Sequence, residues 1–517
     1  MKNEVLIIIV IEKEDDPIES VISPFLNDQS GITFFIIDNN SSHDALKGLD
    51  HQFPFIRLHR RPSSIHRAMA YNIALEIALT EGYKGVFLWD LSTPFSPGYI
   101  RELSNWSNEQ QAIGITLPEK SSNSIYIPYS ALLEIGIFYP FINSQGIKDD
   151  LFNRLKCKDL KVGYFSDNSL NEPSKRVKNN IYRSLMSKEY SNLKKSSSYW
   201  VERPKIDLEG LSRAIKRTHL APVLLLVYNR PEHTKRLLHD FWTQPEAPQT
   251  PLYILSDGGN KVDEVREICI KEAEKHPNIT LWCQEYNHGL AKNVIEGIER
   301  VLDIHDDCVI VLEDDLRLSP YFLRWMNDSL DKYKNQKQIA HLHAGTFYTS
   351  PLLPNNHSLL FAGSWGWATW KDRWEELWEP DGQKLLTQLL EYPHLIKHFN
   401  YGGYMNFTRM LRHQIKGLNN SWAIRWHASL LLNNRLSINS NPPLVSNDGF
   451  DGSGTHSSGD DRYNTGISPY PVYAIQTDTI PTEESKLARK VLRNYYRRTN
   501  NKCAKGWYKL KEILKRI

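Results

Sequence analysis

The chain has 517 residues, about three domains' worth at roughly 150 residues each. With 40% hydrophobic and 24% charged residues, 14 Trp and 25 Tyr, it can bury real cores and is unlike a disordered chain. The formal charge of +3 hides an asymmetry: residues 485–517 hold twelve Lys or Arg against one Glu, so the tail is +11 and the remainder −8.

In chain order the first run is VLIIIVI (5–11). It falls far short of the roughly 20 residues that span a bilayer. Lys2 and Glu4 before it and the acidic stretch after it make a poor secretory signal, so we read it as a strand. TFFII then leads into an Asp-Asn-Asn-Ser-Ser turn, followed by a helical stretch over 66–80 and by VFLWD at 86–90, an α/β pattern. Residues 168–218 are polar and basic, with Lys194-Lys195-Ser196-Ser197-Ser198 in the middle, and read as a partly helical linker.

After residue 220 the pattern returns: VLLLVY, LYILSDGG, a helical stretch over 290–302, and CVIVLEDDL at 308–316. Four landmarks recur in order: Asp38 with Asp257, Asn72 with Asn293, Ser96-Pro97 with Ser319-Pro320, and Asp90 with Asp314. Their offsets drift by only about five residues, which points to a duplicated domain. The predicted organisation is a first α/β domain (1–167), the linker (168–218), a second α/β domain (219–475) and a basic amphipathic tail (476–517). Five widely spaced cysteines, an odd number without a CxxC pair, suggest neither a disulfide framework nor a zinc knuckle; the expected compartment is reducing and cytoplasmic.

The chemistry concentrates where strands end. Beyond the carboxyl end of a buried strand, Glu313, Asp314 and Asp315 can offer hard oxygens to Mg2+ or Mn2+, with a diphosphate completing the shell. A solvated turn is the competing explanation for such a triplet. Asn229 and Arg230 end the first strand and Asp257 the next. A carboxylate can accept from a base or a ribose hydroxyl, and a guanidinium can fork onto phosphate oxygens. Near Gly258-Gly259, Asp257 is equally a turn former.

VLLLVYNRP, ILSDGG, NHGLAKN, VIVLEDDLRLSPYFL and GSWGWATW together resemble a nucleotide-sugar glycosyltransferase of the GT-A fold, of the family 13 N-acetylglucosaminyltransferase I type and related bacterial sugar transferases, over about residues 220–460. The resemblance implies Asp315 as direct metal ligand, Glu313 and Asp314 near the ribose and the hydrated metal, Asp257 at the uracil, Arg230 at the diphosphate, and inversion at the anomeric carbon. The first copy resembles a degenerate family 2 glycosyltransferase. Asp149-Asp150 followed by Arg154 look like that family's base motif, but Ser92 stands where the second carboxylate of Asp90-Leu91-Ser92 is expected.

Five tryptophans crowd FAGSWGWATWKDRWEELW. Trp370, Trp374 and Trp378 recur at helical spacing and read as packing, which leaves Trp365 and Trp367 as a sugar wall, with Gly363 and Gly366 allowing close backbone approach. The segment resembling the family's acidic base motif has Ala423 and Ile424 where carboxylates are expected; Asp372 and Glu376 are the substitutes, though a charged helix face explains them too. The glycine-rich 447–456 segment ends in His456, a candidate second metal ligand beside a loop able to close over a diphosphate.

From Lys486 onward apolar residues interleave with basic ones, which suits a helix on an anionic membrane surface, at the inner face of a bacterial membrane, or a packed solvated helix; no nucleic-acid motif accompanies the charge. The expected function is metal-dependent glycosyl transfer from a nucleotide sugar, a UDP-sugar by the resemblance, to a glycan or lipid-linked acceptor in surface polysaccharide or glycolipid synthesis. The rivals are a bifunctional two-site polymerase and a non-catalytic glycan-binding protein.

Overall fold

In the computed structural model the described residues are 4–138 with short interruptions, 150–151, 161–166, 208–449 except 347, 349 and 351, 467–468, and 480–500. The chain divides into two compact units, Met1–Lys216 and Arg217–Ile517. The helix Leu208–Lys216, the end of the expected linker, packs on the helix Arg67–Glu81 and so belongs to the first unit.

The first unit holds β1 (Val5–Ile11), β2 (Ile32–Asp38), β3 (Ile56–Arg60), β4 (Gly85–Leu88), β5 (Ala112–Leu117), β6 (Ile125–Pro128) and β7 (Lys161–Ser166). They form one seven-stranded sheet in the order β3-β2-β1-β4-β6-β5-β7. All neighbours are parallel except at β6, which runs against β4 and β5. Every residue of β1 is buried, which is why VLIIIVI is uninterrupted rather than alternating: a central parallel strand is covered on both faces.

The second unit holds β8 (Val223–Val227), β9 (Leu252–Ser256), β10 (Ile279–Cys283), β11 (Cys308–Glu313), β12 (Leu316–Leu318), β13 (Ile339–His343), β14 (Asn356–Leu359), β15 (Trp367–Trp370), β16 (Leu436–Ser440) and β17 (Val445–Asn447). Its eight-stranded sheet runs β10-β9-β8-β11-β15-β13-β16-β14, while β12 and β17 pair apart from it. The first seven of these, matched in turn to the first unit, repeat its order, with β15 reversed where β6 is reversed. The duplication inferred from the landmarks therefore extends to topology. Asp38 ends β2 and Asp257 directly follows β9; Asn72 and Asn293 are buried in equivalent helices; Ser96 accepts from the Tyr99 N–H at 3.2 Å as Ser319 does from the Tyr321 N–H at 3.2 Å. Asp90, Ser92, Asp149 and Arg154 lie outside the described residues.

The second sheet is covered on both faces. Val223, Leu225 and Val227 face a core shared with Leu237, Phe241, Val265 and Phe322, while Leu224 and Leu226 face one shared with Val294, Ile298, Trp367 and Trp426. The helix Pro231–Trp242 starts with proline at its first turn, where a missing N–H costs nothing, and so leaves β8 at a fixed angle.

In the described part of the tail, Ala488, Leu492 and Tyr496 of the helix Lys486–Asn500 are buried against Tyr348, Leu353, Leu359, Phe361 and Tyr401. Of the apolar residues expected to face a membrane, Leu492 is thus buried in the unit, Val491 and Tyr495 are half-buried and Leu487 is exposed. Trp507, Leu510, Ile513 and Leu514 lie outside the described residues. Among the described residues no helix is long and apolar enough to cross a membrane.

Candidate functional site

β8, β9, β10 and β11 are parallel, so their carboxyl ends share one edge, where an open α/β sheet binds ligands. Glu313 ends β11 half-buried, Asp314 is buried, and Asp315 is partly exposed before the chain enters β12. From the adjacent β8 end Arg230 reaches both aspartates, Nη2 to Asp314 Oδ1 at 2.5 Å and Nη1 to Asp315 Oδ2 at 3.1 Å. The Tyr228 N–H donates to Asp314 Oδ2 at 3.4 Å. Asn229 is exposed beside them.

Three carboxylates on consecutive residues repel one another. Burial, reinforced by Asp315 and Asp314, pushes Glu313 up to about 8 against the pull of Arg230. Burial likewise pushes Asp314 up to about 6, opposed first by Arg230. Burial works against the Arg230 charge, but the two aspartates outweigh it and hold its pKa above the ordinary value. One guanidinium therefore does not neutralise the cluster, and further positive charge would be welcome.

The start of the glycine-rich segment completes the site. β12 pairs with β17 so that Leu316 faces Asn447; Asn447 Nδ2 donates to Asp315 Oδ1 at 3.2 Å and the Asp448 N–H to the Asp315 carbonyl at 2.8 Å. A Cβ on Gly449 would overlap Asp315 Oδ2, so glycine is what lets this backbone lie on the carboxylate. Behind it stands an alternating set of charges: Asp240 is bidentate to Arg317 at 2.6 and 3.0 Å, and Asp448 lies 3.2 Å from Arg236 and 3.7 Å from Arg317. The sequence reading missed Asn447, Asp448, Arg236 and the Asp240–Arg317 pair. The Asn-Asp-Gly triplet was the available signal, and attention went instead to His456, which lies outside the described residues.

Asp315 offers the kind of oxygen donor a hard dication takes, with Arg230 and Asn447 now on its two oxygens. Its chemistry is all oxygen, and it meets the loop with glycine as its neighbour. Among the described residues no group of three or more His, Cys, Asp or Glu side chains is arranged to hold a metal.

Several expected roles need correction. Asp257 is engaged by the backbone: Oδ1 accepts from Gly258 and His288, each at 2.8 Å, and Oδ2 from Gly289 at 3.0 Å. These bonds tie its carboxylate to the 288–289 backbone. Trp367 is wholly buried in β15, stacked on Trp422 at 4.9 Å and His341 at 5.1 Å, and no sugar can reach it. Trp370, Trp374 and Trp378 pack as expected for the first two, which are buried, with Trp378 half-buried and stacked on Trp374 at 4.8 Å. Trp365 is half-buried and lines a cavity. Asp372 and Glu376 are at the wrong end of the sheet. β15 is antiparallel to β11, Trp370 faces Cys308, and the Lys371 N–H bonds the Asp307 carbonyl, so the helix Lys371–Leu377 begins about 17 Å from the β11 carboxyl end at about 3.4 Å per residue. There Asp372 pairs with Lys337 and Arg373, and Glu376 with Arg435.

Residues 223–356 match the family described as glycosyl transferase family 2. The segment contains Arg230, Asp257 and the Glu313–Asp315 cluster and ends before Asn447. The match falls on the second copy, where family 2 stands in place of the expected family 13 type. No curated protein matches the chain. Among solved structures, it is similar to residues 1–349 of TarS from S. aureus, at 11% identity and a TM-score of 0.27, over 32% of this chain and 59% of that one. It is also similar to the mannosyltransferase PcManGT from Pyrobaculum calidifontis in complex with GDP-Man and Mn2+, at 14% identity and a TM-score of 0.25, over 42% of this chain and 78% of that one. The chain therefore spans less than two thirds of the TarS fragment. The α/β class expected from the sequence holds for both units, and the second carries the family 2 segment.

Proposed function

We propose that the second unit is a GT-A-type, metal-dependent glycosyltransferase that moves a hexosyl or N-acetylhexosaminyl group from a nucleoside diphosphate sugar, a UDP-sugar by the resemblance, onto a glycan or lipid-linked acceptor of bacterial surface polysaccharide or glycolipid. The observation that carries this reading is the Glu313-Asp314-Asp315 triplet at the carboxyl end of β11, ion-paired with Arg230 from the adjacent strand end, inside the family 2 segment.

A bound Mg2+ or Mn2+ would supply Lewis-acid neutralisation of the leaving diphosphate. Asp315 would hold it, with Asp314 and Glu313 behind. Arg230 can exchange a carboxylate for a phosphate oxygen without leaving its position, because its fork accepts either geometry. Asp257 acts one step back: by tying down the 286–289 backbone it fixes the rim near the nucleoside. Inversion requires a group that takes the acceptor proton on the strand-end side. Asp372 and Glu376, on the opposite edge, do not meet that requirement.

The test is nucleotide release from a panel of nucleotide sugars with and without Mn2+. The wild type should turn over or hydrolyse one donor, and Asp315→Asn should lose at least about 100-fold, the scale of removing one charge-stabilising group. Equal, metal-independent donor binding without turnover by both proteins would instead mark a glycan- or nucleotide-binding protein.

A further inference from the structure

The second unit holds a concavity that none of Arg230, Glu313, Asp314 and Asp315 lines. It has a volume of about 230 Å3 and is lined by Phe361, Trp365, Met405, Phe407, Met410 and Tyr496 among others. Its lining is overwhelmingly apolar, rich in aromatic rings and flexible thioethers that adapt to irregular hydrocarbon. It is close to the site. Gly366, next to Trp365, packs on Val445, and Val445 is two residues along β17 from Asn447, which donates to Asp315; that is about 7 Å of strand.

Its size and border narrow the occupant. Sites that enclose a whole small-molecule ligand are typically about 300–1,000 Å3, so this one admits one end of a molecule whose remainder stays outside. Two of its walls come from the helices Phe407–Ile415 and Lys486–Asn500, whose sequences contain no Asp or Glu. On them Arg409, Arg412, Arg493 and Arg497 are all exposed, Arg493 lying beside Tyr404 with its guanidinium 5.7 Å from that ring. Met410, next to Arg409, is 39% exposed at the lip. No arginine lines the slot itself, but Arg409 adjoins the lining Met410 and Arg493 reaches Tyr404, the residue before the lining Met405, and an apolar slot with two such guanidinium groups for neighbours complements an apolar chain that ends in an anion.

We infer that this cavity receives the chain end of an anionic amphiphile, an alkyl or prenyl chain carrying a phosphate or carboxylate head, with the head on the Arg409 and Arg493 side. Its role as the acceptor rests on the glycosyltransferase reading above; its binding does not.

The experiment is calorimetric titration of the full chain with dodecyl phosphate, dodecanoate, dodecyl maltoside and inorganic phosphate, each below its micelle concentration. Dodecyl phosphate or dodecanoate should bind at least about ten-fold tighter than the maltoside, and whichever is tighter identifies the head. Met410→Glu should abolish binding of all three chains, and Arg409→Gln with Arg493→Gln should weaken the anionic ones about ten-fold while leaving the maltoside unchanged, both at an unaltered melting temperature. Equal binding of maltoside and anions, equal binding of inorganic phosphate alone, or indifference to both variants overturns the inference. Asp315→Asn should keep amphiphile binding. If the amphiphile binds but no donor is ever turned over, the transferase reading fails and the cavity assignment stands.

Discussion

At the scale of single residues, carboxylates of the same type do different work according to what meets them. Asp315 faces a guanidinium, an amide and a glycine, while Asp257 meets three backbone N–H groups. Asp257→Ala would leave those three donors without their acceptor, at about 1–3 kcal/mol for each that water cannot reach. The expected outcome is a lowered urea midpoint together with weaker donor binding. A variant that loses donor binding at unchanged stability would return Asp257 to direct contact with the base. The sequence made the strand-end position of both residues legible, since Asp after an apolar run marks that edge. It could not tell them apart, because the partners of Asp257 lie about thirty residues away on a loop whose path depends on β10 and Gly289.

At the scale of elements, the reversed strand β15 decides most of what was misread. Nothing in WATW signals its direction, and a parallel β15 would have sent Asp372 and Glu376 to the active edge. The family of aromatic residues around it also surrounds buried histidines. Burial pushes His343 in β13 and His357 in β14 down to about 4 and His427 in the helix Trp422–Leu432 down to about 3, and holds His341 well below the ordinary value. In the unfolded chain these rings protonate near 6.5. The unfolded state therefore binds more protons between 6.5 and about 4, and stability falls as pH drops through that window. Each ring should cost about 2 kcal/mol by pH 5, an order of magnitude obtained from proton linkage. Urea midpoints at pH 7.5 and 5 check this, and His357→Gln should flatten the dependence.

At the scale of the whole molecule, one strand order appears twice, and the sequence revealed it because landmark residues kept their spacing. The copies differ in chemistry. The first offers Ser92 where a dication prefers a carboxylate, so it is expected to contribute no turnover. Asp90→Asn should leave product identity and rate unchanged in a protein with Asp315 intact; an altered product would establish two working sites. The tail shows the opposite limit of sequence reading. Its basic and apolar pattern is real, yet alternation alone cannot say which apolar residues meet protein; here Ala488, Leu492 and Tyr496 do, against Tyr401 and Phe361, while Leu487 stays exposed.

The β12–β17 pairing sets Leu316 opposite Asn447, and beside it Asn447 donates to Asp315, 132 positions away. During synthesis the triplet at 313–315 is made about 130 residues before the strand that pairs beside it. That edge of the sheet can therefore be completed only after residue 445 has been made. Closing so long a loop is entropically slow. Competence should therefore lag behind the appearance of the sheet, and a nascent chain halted before residue 445 would carry the acidic triplet without the strand that covers it.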